Sequence, residues 1–401
     1  MLNEWLNYDL LAEEILKRDY FLNKVEKDQG WKSGPLVIPF QGGYASSIKF
    51  GSLTAENDVS QDEYVRGTIT TQPEVWGTML FHHKDLMQHD GKIKETTFLR
   101  MLPDQINNFM QGMKNAVSQN IMTGNSVTNL TVNGTVLGVA VVDHIERLTL
   151  GQKLQIVSTA PLSANVYVIA LDINTNKVTV SAARGGAVLD ISLYLVADDA
   201  KLVLDDSVAN GMTSIRDSLL SAVNGGSATL YGVSKLAYPY LQSINLDGAA
   251  ITASNILEKL FDGFNTVRNK GKGNPSTAIV SWKWMANIMK QVETTKGAFK
   301  VNPSDTKASI YGWTEILITG VKGQLTIVSV QEASDDVIMF IDWAALKFHS
   351  NGFFTKRTSP DGLQYYEVRQ TTGFVYLIDI ALMGDFVLNR PSTCGIYHSI
   401  P

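Results

Sequence analysis

Residues 64–83 read YVRGTITTQPEVWGTMLFHH, and from Ser47 onward the chain alternates in the same way up to a polar tip, TAENDVSQDE, at 54–63. Period-two alternation on both sides of a charged break specifies a long β-hairpin. A two-stranded ribbon of this length has too little apolar area to hold itself up in water, so it must lie on something else. The ribbon therefore reads as a loop that reaches another subunit.

The residues before the ribbon carry the same character. Residues 4–25 form an amphipathic pattern, with Leu11, Ile15, Leu22 and Val25 near one face and Glu13, Glu14, Lys17 and Arg18 elsewhere, and the helix it specifies ends at Gly30. The following WKSGPLVIPFQGGYASSIKFG, with two prolines and repeated glycines, favours extended chain and reads as an arm outside any core. Trp5, Trp31 and Trp76 fall in the arm and the hairpin. Large aromatics on segments without an internal partner read as inter-subunit anchors, with ordinary packing as the alternative. Leu11 and Arg66, on the same segments, join the candidate inter-subunit contacts.

Beyond the ribbon the period changes. Phe98, Leu102, Ile106, Phe109, Met113, Val117 and Ile121 recur every three or four residues, which predicts one face of a long helix. Pro103 predicts a bend or restart near Leu102, and Gly124 supplies the stop. Residues 126–200 then alternate at strand period, with Asn133-Gly134 in NLTVNGTVLGV and the INTN turn in NVYVIALDINTNKVTVSAA marking hairpins. They predict a small all-β barrel or sandwich set within a larger fold. After Asp205 an α/β pattern returns. Asn255 is the expected cap of a helix buried through Leu257, Leu260, Phe261 and Phe264, with Glu258 completing a capping box. The strand TAIVS, a helix with Trp284, Ile288 and Val292, and the strands TEILITG, QLTIVSV and DVIMFID follow. The end of the chain, up to Pro391, is strand-rich.

Composition bounds the function. The 401 residues, 44% of them hydrophobic and 18% charged, suit real cores under a rather neutral surface, the kind that favours extensive protein contact. A net charge of −5, with no basic run, argues against tight nucleic-acid readout. A single cysteine, Cys394, excludes an internal disulfide and a cysteine-based metal cluster, and reads as an inert thiol. The N-terminus, acidic throughout, is neither a signal nor a transit peptide. The longest greasy stretch, FVYLIDIALMGDFVL, contains Asp379 and Asp385 and is too short to span a bilayer, so the chain is expected to be soluble, without a membrane partner.

Two stretches invite a chemical reading. HHKDLMQHD (82–90) crowds histidines and aspartates, yet adjacent His82 and His83 on a strand leave on opposite faces. Asp85 and His89 share a face only if the chain turns helical at His83, and neither HExxH nor paired short spacings occur, so a polar strand-to-helix junction is expected. GKGNPST (271–277) follows a helix and opens a strand, the reverse of a phosphate loop, and Lys272 precedes glycine. No GxSxG elbow and no interleaved basic-aromatic platform occur. No catalytic residue, cofactor or metal is expected, and an enzyme with an appended β module is disfavoured.

The order of parts resembles the major capsid proteins of tailed bacteriophages, the Hong Kong 97 type of capsid fold, an α+β architecture. GGSATLYGVSKLAYPYLQSINLDG (225–248) is similar to the opening of the axial domain in such coats, and NGFFTKRTSPDGLQYYEVRQTTGFVYLIDIALMGDFVLNRP (351–391) to the return through the peripheral domain. The resemblance implies an N-terminal arm at 1–45, an extended loop and junction at 46–94, a spine helix at 95–125, an inserted β-barrel-like domain at 126–205, an axial domain at 206–350 and peripheral return strands at 351–401. It implies hexamers and pentamers tiling an icosahedral shell around double-stranded DNA held without sequence-specific contacts. Portal, scaffolding and auxiliary capsid proteins are the implied partners, with the chain made in the host cytoplasm and located in the virion. Residues 54–80 contain no lysine, so cross-linking through the loop is not expected, and the short lead into the arm implies a separate scaffold. An encapsulin-like nanocompartment shell is the alternative.

Overall fold

The computed structural model describes residues 20–32, 34–41, 64–82, 97–124, 126–131, 139–157, 164–190, 200–205, 211–294, 315–320, 323–351, 355–356, 366–370 and 373–401. They form an α+β fold in two compact units, one of Met1–Asn23, Pro73–Ser214 and Ser350–Asp385, the other of Lys24–Gln72, Ile215–His349 and Phe386–Pro401.

The first unit is built on a long helix, a sheet and a barrel. The helix runs Thr97–Thr123 and buries Met113, Val117 and Ile121 at the four-residue spacing of one face, while its last turns, with Met122 and the polar Ser118, Gln119 and Asn120, are buried all round. It passes Pro103 without a break, against the expected restart at Leu102. A proline near the first turns forfeits one intrahelical bond, which the cooperative run of some twenty residues beyond it tolerates. The stop is as expected: Gly124 takes φ +71°, which costs glycine nothing.

The sheet centres on the strand Gly373–Leu388, paired antiparallel with Glu74–His82 from Val375↔His82 to Met383↔Glu74. Tyr366–Gln370 and Thr355–Lys356 pair with the same strand. A Cβ at Gly77 would come within 2.8 Å of the Phe109 ring, so glycine here is what lets the helix lie close on the sheet. Asp385, buried within the unit, accepts hydrogen bonds from the Thr213 amide (2.6 Å) and hydroxyl (2.7 Å).

Six strands within 126–204 close a barrel in the order Lys201–Leu204, Ser126–Thr131, Val139–Val142, Lys177–Ser181, Ala164–Asp172 and Lys153–Val157. Val127, Leu130, Val142, Leu154, Ile156, Val166, Val168, Val178, Val180 and Leu202 fill the interior, so the barrel is a packed core and not a vessel. The INTN turn is present, with Asp172 accepting from the Asn174 amide and the Thr175 hydroxyl and Asn176 at φ +52°. Asn133-Gly134 lies outside the described residues.

The second unit is a mixed six-stranded sheet in the order Ile244–Asp247, Gly395–His398, Ile338–Ile341, Thr277–Val280, Gly323–Ser329 and Glu315–Gly320. The helices Ile256–Gly271 and Trp282–Thr294 cover it through Leu257, Leu260, Phe264, Trp284, Ile288 and Val292. Several expectations are corrected here. The last strand, Gly395–His398, pairs with Ile244–Asp247 and Ile338–Ile341, so 351–401 is not one run of return strands. Its residues Gly395, Ile396 and Tyr397 are all buried, which an interior strand of this sheet requires and an alternating edge would not. Asn255 caps by position only: its side chain accepts from the Thr252 amide and donates to the Ala250 carbonyl, while Gln291 of the neighbouring helix accepts from the Leu257 amide. Of the expected helix over 4–25 the described part is Tyr20–Lys24, and the chain then turns extended, Glu26–Asp28 pairing in parallel with Lys347–His349. The extended arm also reaches a core, for Ile38 and Phe40 are buried. Of the expected ribbon, residues 47–63 lie outside the described residues; Tyr64–Ile69 pairs instead with Leu36–Gln41 of the expected arm to form the ribbon's described base, and Pro73 separates it from Glu74–His82, which joins a different sheet.

Replacing Asp385 with alanine leaves the Thr213 amide and hydroxyl without their acceptor, and the expected loss is about 2–4 kcal/mol of stability. Urea unfolding followed by fluorescence measures it, and an unchanged midpoint would contradict this role.

Candidate assembly surface

The ribbon base is fastened by burial, a ring stack and main-chain hydrogen bonds. In LVIPFQ (36–41) alternate residues turn inward: Ile38 and Phe40 are buried with Leu230, Val233, Leu241 and Val387, while Val37 faces out at 52% exposure. Across the ribbon, Pro39 pairs with Arg66 and Ile38 with Gly67. A Cβ on Gly67 would stand 2.7 Å from Phe40 Cε2 and 3.0 Å from Tyr231 Cβ, so the ribbon is pressed against the residue 229–234 hairpin at a point only glycine allows. The hairpin turn places Tyr231 at φ +49° and Gly232 at φ +81°, positive at both central positions as a type I′ turn requires. Tyr231 stacks on Phe40 (centroids 6.0 Å apart, planes at 9°), and its carbonyl accepts from the Thr68 amide at 2.9 Å. Its hydroxyl donates to the Phe386 carbonyl and accepts from the Leu388 amide, both at 2.9 Å.

The residues singled out from sequence divide. Trp5 and Leu11 lie outside the described residues. Trp31 is buried within its own chain, at 4% exposure, with its indole N–H donating to the Gly34 carbonyl at 2.8 Å, so ordinary packing describes it. Arg66 is exposed on the outward face of the ribbon. Trp76 is 65% exposed on the sheet face opposite the helix, in register with Ala381. Sequence reasoning missed Tyr231, although Tyr-Gly between Leu230 and Val233 in TLYGVS was a hairpin signal; the usual Asn-Gly or Asp-Gly was absent, and the stretch was read only for its likeness.

A second clip stands beside the hairpin. Lys235 is buried, and its ammonium donates to the carbonyls of Asp217 (3.0 Å), Ser218 (2.7 Å) and Leu220 (3.0 Å), closing the C-terminal end of the helix Ile215–Leu219. Burial pushes its pKa down to about 8, against the attraction of Asp217. Leu236, the next residue, is held out in solvent.

Near the ribbon a cleft of about 540 Å³ is lined by Leu36–Pro39 on one side and Asp28, Lys347, His349 and Arg390 on the other. Its ionic groups pair across the parallel strands, Lys347 with Glu26 at 3.0 Å and His349 Nδ1 with Asp28 at 3.3 Å. Burial holds the His349 pKa below its ordinary 6.5, partly offset by Asp28.

Two of the remaining chemical readings resolve into packing. Cys394 is fully buried, and burial pushes its thiol up to about 12, far from a nucleophile. In GKGNPST, a Cβ at Gly271 would stand 2.1 Å from the Ser392 carbonyl oxygen and one at Gly273 would stand 2.6 Å from Thr393 Cα, so these glycines admit a neighbouring backbone and not a phosphate. Of HHKDLMQHD, residues 83–90 lie outside the described residues, and among the described residues no three His, Cys, Asp or Glu side chains gather as a metal site would need.

No protein-family model matches the sequence, and no curated protein matches it. Solved structures do resemble the chain. The capsid of a native GTA particle aligns over 95% of this chain and 90% of its own, at 9% identity and a TM-score of 0.48. The capsid asymmetric unit of cyanophage A-1(L) aligns over 94% and 90%, at 10% identity and a TM-score of 0.46. The virus-like particle of Pyrococcus furiosus aligns over 97% and 96%, at 8% identity and a TM-score of 0.42.

Two measurements probe this surface. Lys235→Met removes the ammonium's bonds to three carbonyls, of which that of Asp217 keeps its bond from the Ser227 amide, and is expected to lower stability by about 1–3 kcal/mol, read from urea unfolding; a neutral result would show that the clip is dispensable. For His349, whose folded pKa lies below the unfolded value, the unfolded chain takes up the proton first, so stability falls as pH drops through 6.5. His349→Gln is expected to flatten the melting-temperature profile between about pH 5 and pH 7, and equal slopes in the two proteins would refute the assignment.

Proposed function

We propose that this chain is a shell-forming coat protein of the Hong Kong 97 type, the major capsid protein of a tailed bacteriophage. The observation that carries the reading is the clamped ribbon: strands 36–41 and 64–69 are fastened to the body at their base, and the sequence between them ends in a charged tip. A fold gains nothing internal from fixing so firmly the root of an outlying element. It gains a great deal if that element must meet a copy of the same chain at a set place. The long helix beside a sheet centred on the strand 373–388, the α/β unit and the barrel support the same reading.

In this reading the ribbon and the outward Trp76 and Arg66 bind neighbouring copies, and residues 126–205 are an inserted domain on the shell. The helix at 95–125 is the spine and residues 206–350 the axial domain. A standard interface of about 1,600 Å², at about 25 cal/mol per Å², is worth tens of kcal/mol gross before ordering costs, so many such contacts close a wall. Copies join as hexamers and pentamers around double-stranded DNA held by confinement, which suits an acidic chain with no basic run. A portal and a separate scaffold complete the assembly.

Electron microscopy of the purified protein tests the reading: closed shells of uniform diameter are expected, and a monodisperse monomer at every concentration would overturn it. Shells that enclose an enzyme and no nucleic acid would instead favour a nanocompartment. Trp76→Ser is expected to weaken association by at least about 2 kcal/mol, the scale of an interface anchor, with unfolding unchanged. Sedimentation of the variant against the parent measures it, and identical assembly would remove Trp76 from the contact.

A further inference from the structure

The clamp at the ribbon base contains one residue whose backbone works against its chemistry. Tyr231 sits at φ +49°, a left-handed conformation that a bulky side chain adopts at a cost of about 1–2 kcal/mol and that glycine or asparagine would supply freely. A type I′ turn alone does not need tyrosine there. The side chain must therefore be retained for what it reaches, and it reaches two places far apart in sequence: the Phe40 ring of one ribbon strand and, through its hydroxyl, the backbone of Phe386 and Leu388, while the main-chain carbonyl of the same residue accepts from the Thr68 amide of the other strand. Gly67 completes the fit by leaving the ribbon backbone free to close on the Tyr231 Cβ.

We propose that Tyr231 is the positioning residue that fixes the direction in which the ribbon leaves its unit, and through that direction the spacing between copies in the assembled shell. The second half of this proposal rests on the shell reading above; the first does not. Both ribbon strands are indexed to a single residue, one through its ring and the other through its main-chain carbonyl, and its side chain is indexed in turn to the Phe386–Leu388 backbone, whose amide and carbonyl its hydroxyl bridges. A rotation of the ribbon about its root would have to break the stack, the Thr68 bond or the hydroxyl bridge. Ordinary hydrophobic burial by Ile38, Leu230 and Val387 keeps the ribbon attached but, being non-directional, leaves its angle loose.

Tyr231→Phe keeps the ring and the turn and removes only the hydroxyl bridge. Hydrogen exchange of the amides in 64–69, read by mass spectrometry on the soluble chain, is expected to quicken about tenfold, the factor that losing one hydrogen bond of ordinary strength represents. Exchange in the buried strand Thr277–Val280 is expected to stay unchanged, since a general loss of stability would quicken both. In assembled material the variant is expected to give shells of shifted or broadened diameter by electron microscopy. Phe40→Leu, which removes the stack and leaves the hydroxyl, is expected to act in the same direction. Unchanged exchange in 64–69 for both variants overturns the positioning role. Faster exchange with shells of the parental diameter overturns the link to spacing. If the parent chain forms no shells, the coat-protein reading falls, and the exchange measurement alone still decides whether Tyr231 positions the ribbon.

Discussion

A two-stranded ribbon in water has one face too many. Neither strand can bury its apolar residues against the other, because paired strands lie edge to edge, so a third surface must be supplied. Here that surface is the small hairpin at 229–234 with the end of the strand at Val387, and the ribbon's inner residues, Ile38 and Phe40, are buried on it. Gly67 and the Tyr231 turn are the local adjustments that let the two pieces approach. The outer face, with Val37 and Arg66, receives no such cover within the unit. Much of what distinguishes this molecule follows from fastening the ribbon at its root.

The same economy accounts for features that look chemical in the sequence. Lys235 is a charge spent on three carbonyls at the end of a five-residue helix, a position where burial disfavours the charge and hydrogen bonds retain it. Gly271 and Gly273 clear space for the backbone at Ser392 and Thr393. Cys394 is a buried packing residue with a suppressed thiolate. Polar groups that in an enzyme would converge on a substrate here converge on main chain, and the cleft beside the ribbon has its Lys347 and His349 already paired with Glu26 and Asp28.

Local pattern was a good guide wherever a segment's partner is close in sequence or its face is set by its own period. The helix of 97–123, the barrel strands around the INTN turn and the strands and helices between 255 and 341 were legible for that reason. It was a poor guide at Asn255, whose expected cap is replaced by Gln291 from another helix, and at Pro103, whose break is overridden by the length of helix beyond it. It failed for LVIPFQ, because glycines and prolines mark extended chain without saying whether that chain finds a core. Of the candidate contacts, Trp76 stands exposed, whereas Trp31 has folded into its own body.

By itself the sequence determined the kinds of element, their order and the absence of a recognisable catalytic set, since periodicity, turn residues and ligand spacing are properties of neighbours along the chain. Only the tertiary structure decided that residues 36–41 pair with 64–69, that 395–398 enters the sheet of the second unit, and that Tyr231 is the point where the ribbon is held. Those are contacts between residues tens to hundreds of positions apart. Their energies come from burial and hydrogen bonds that no local pattern encodes, because each exists only once the remote partner has arrived.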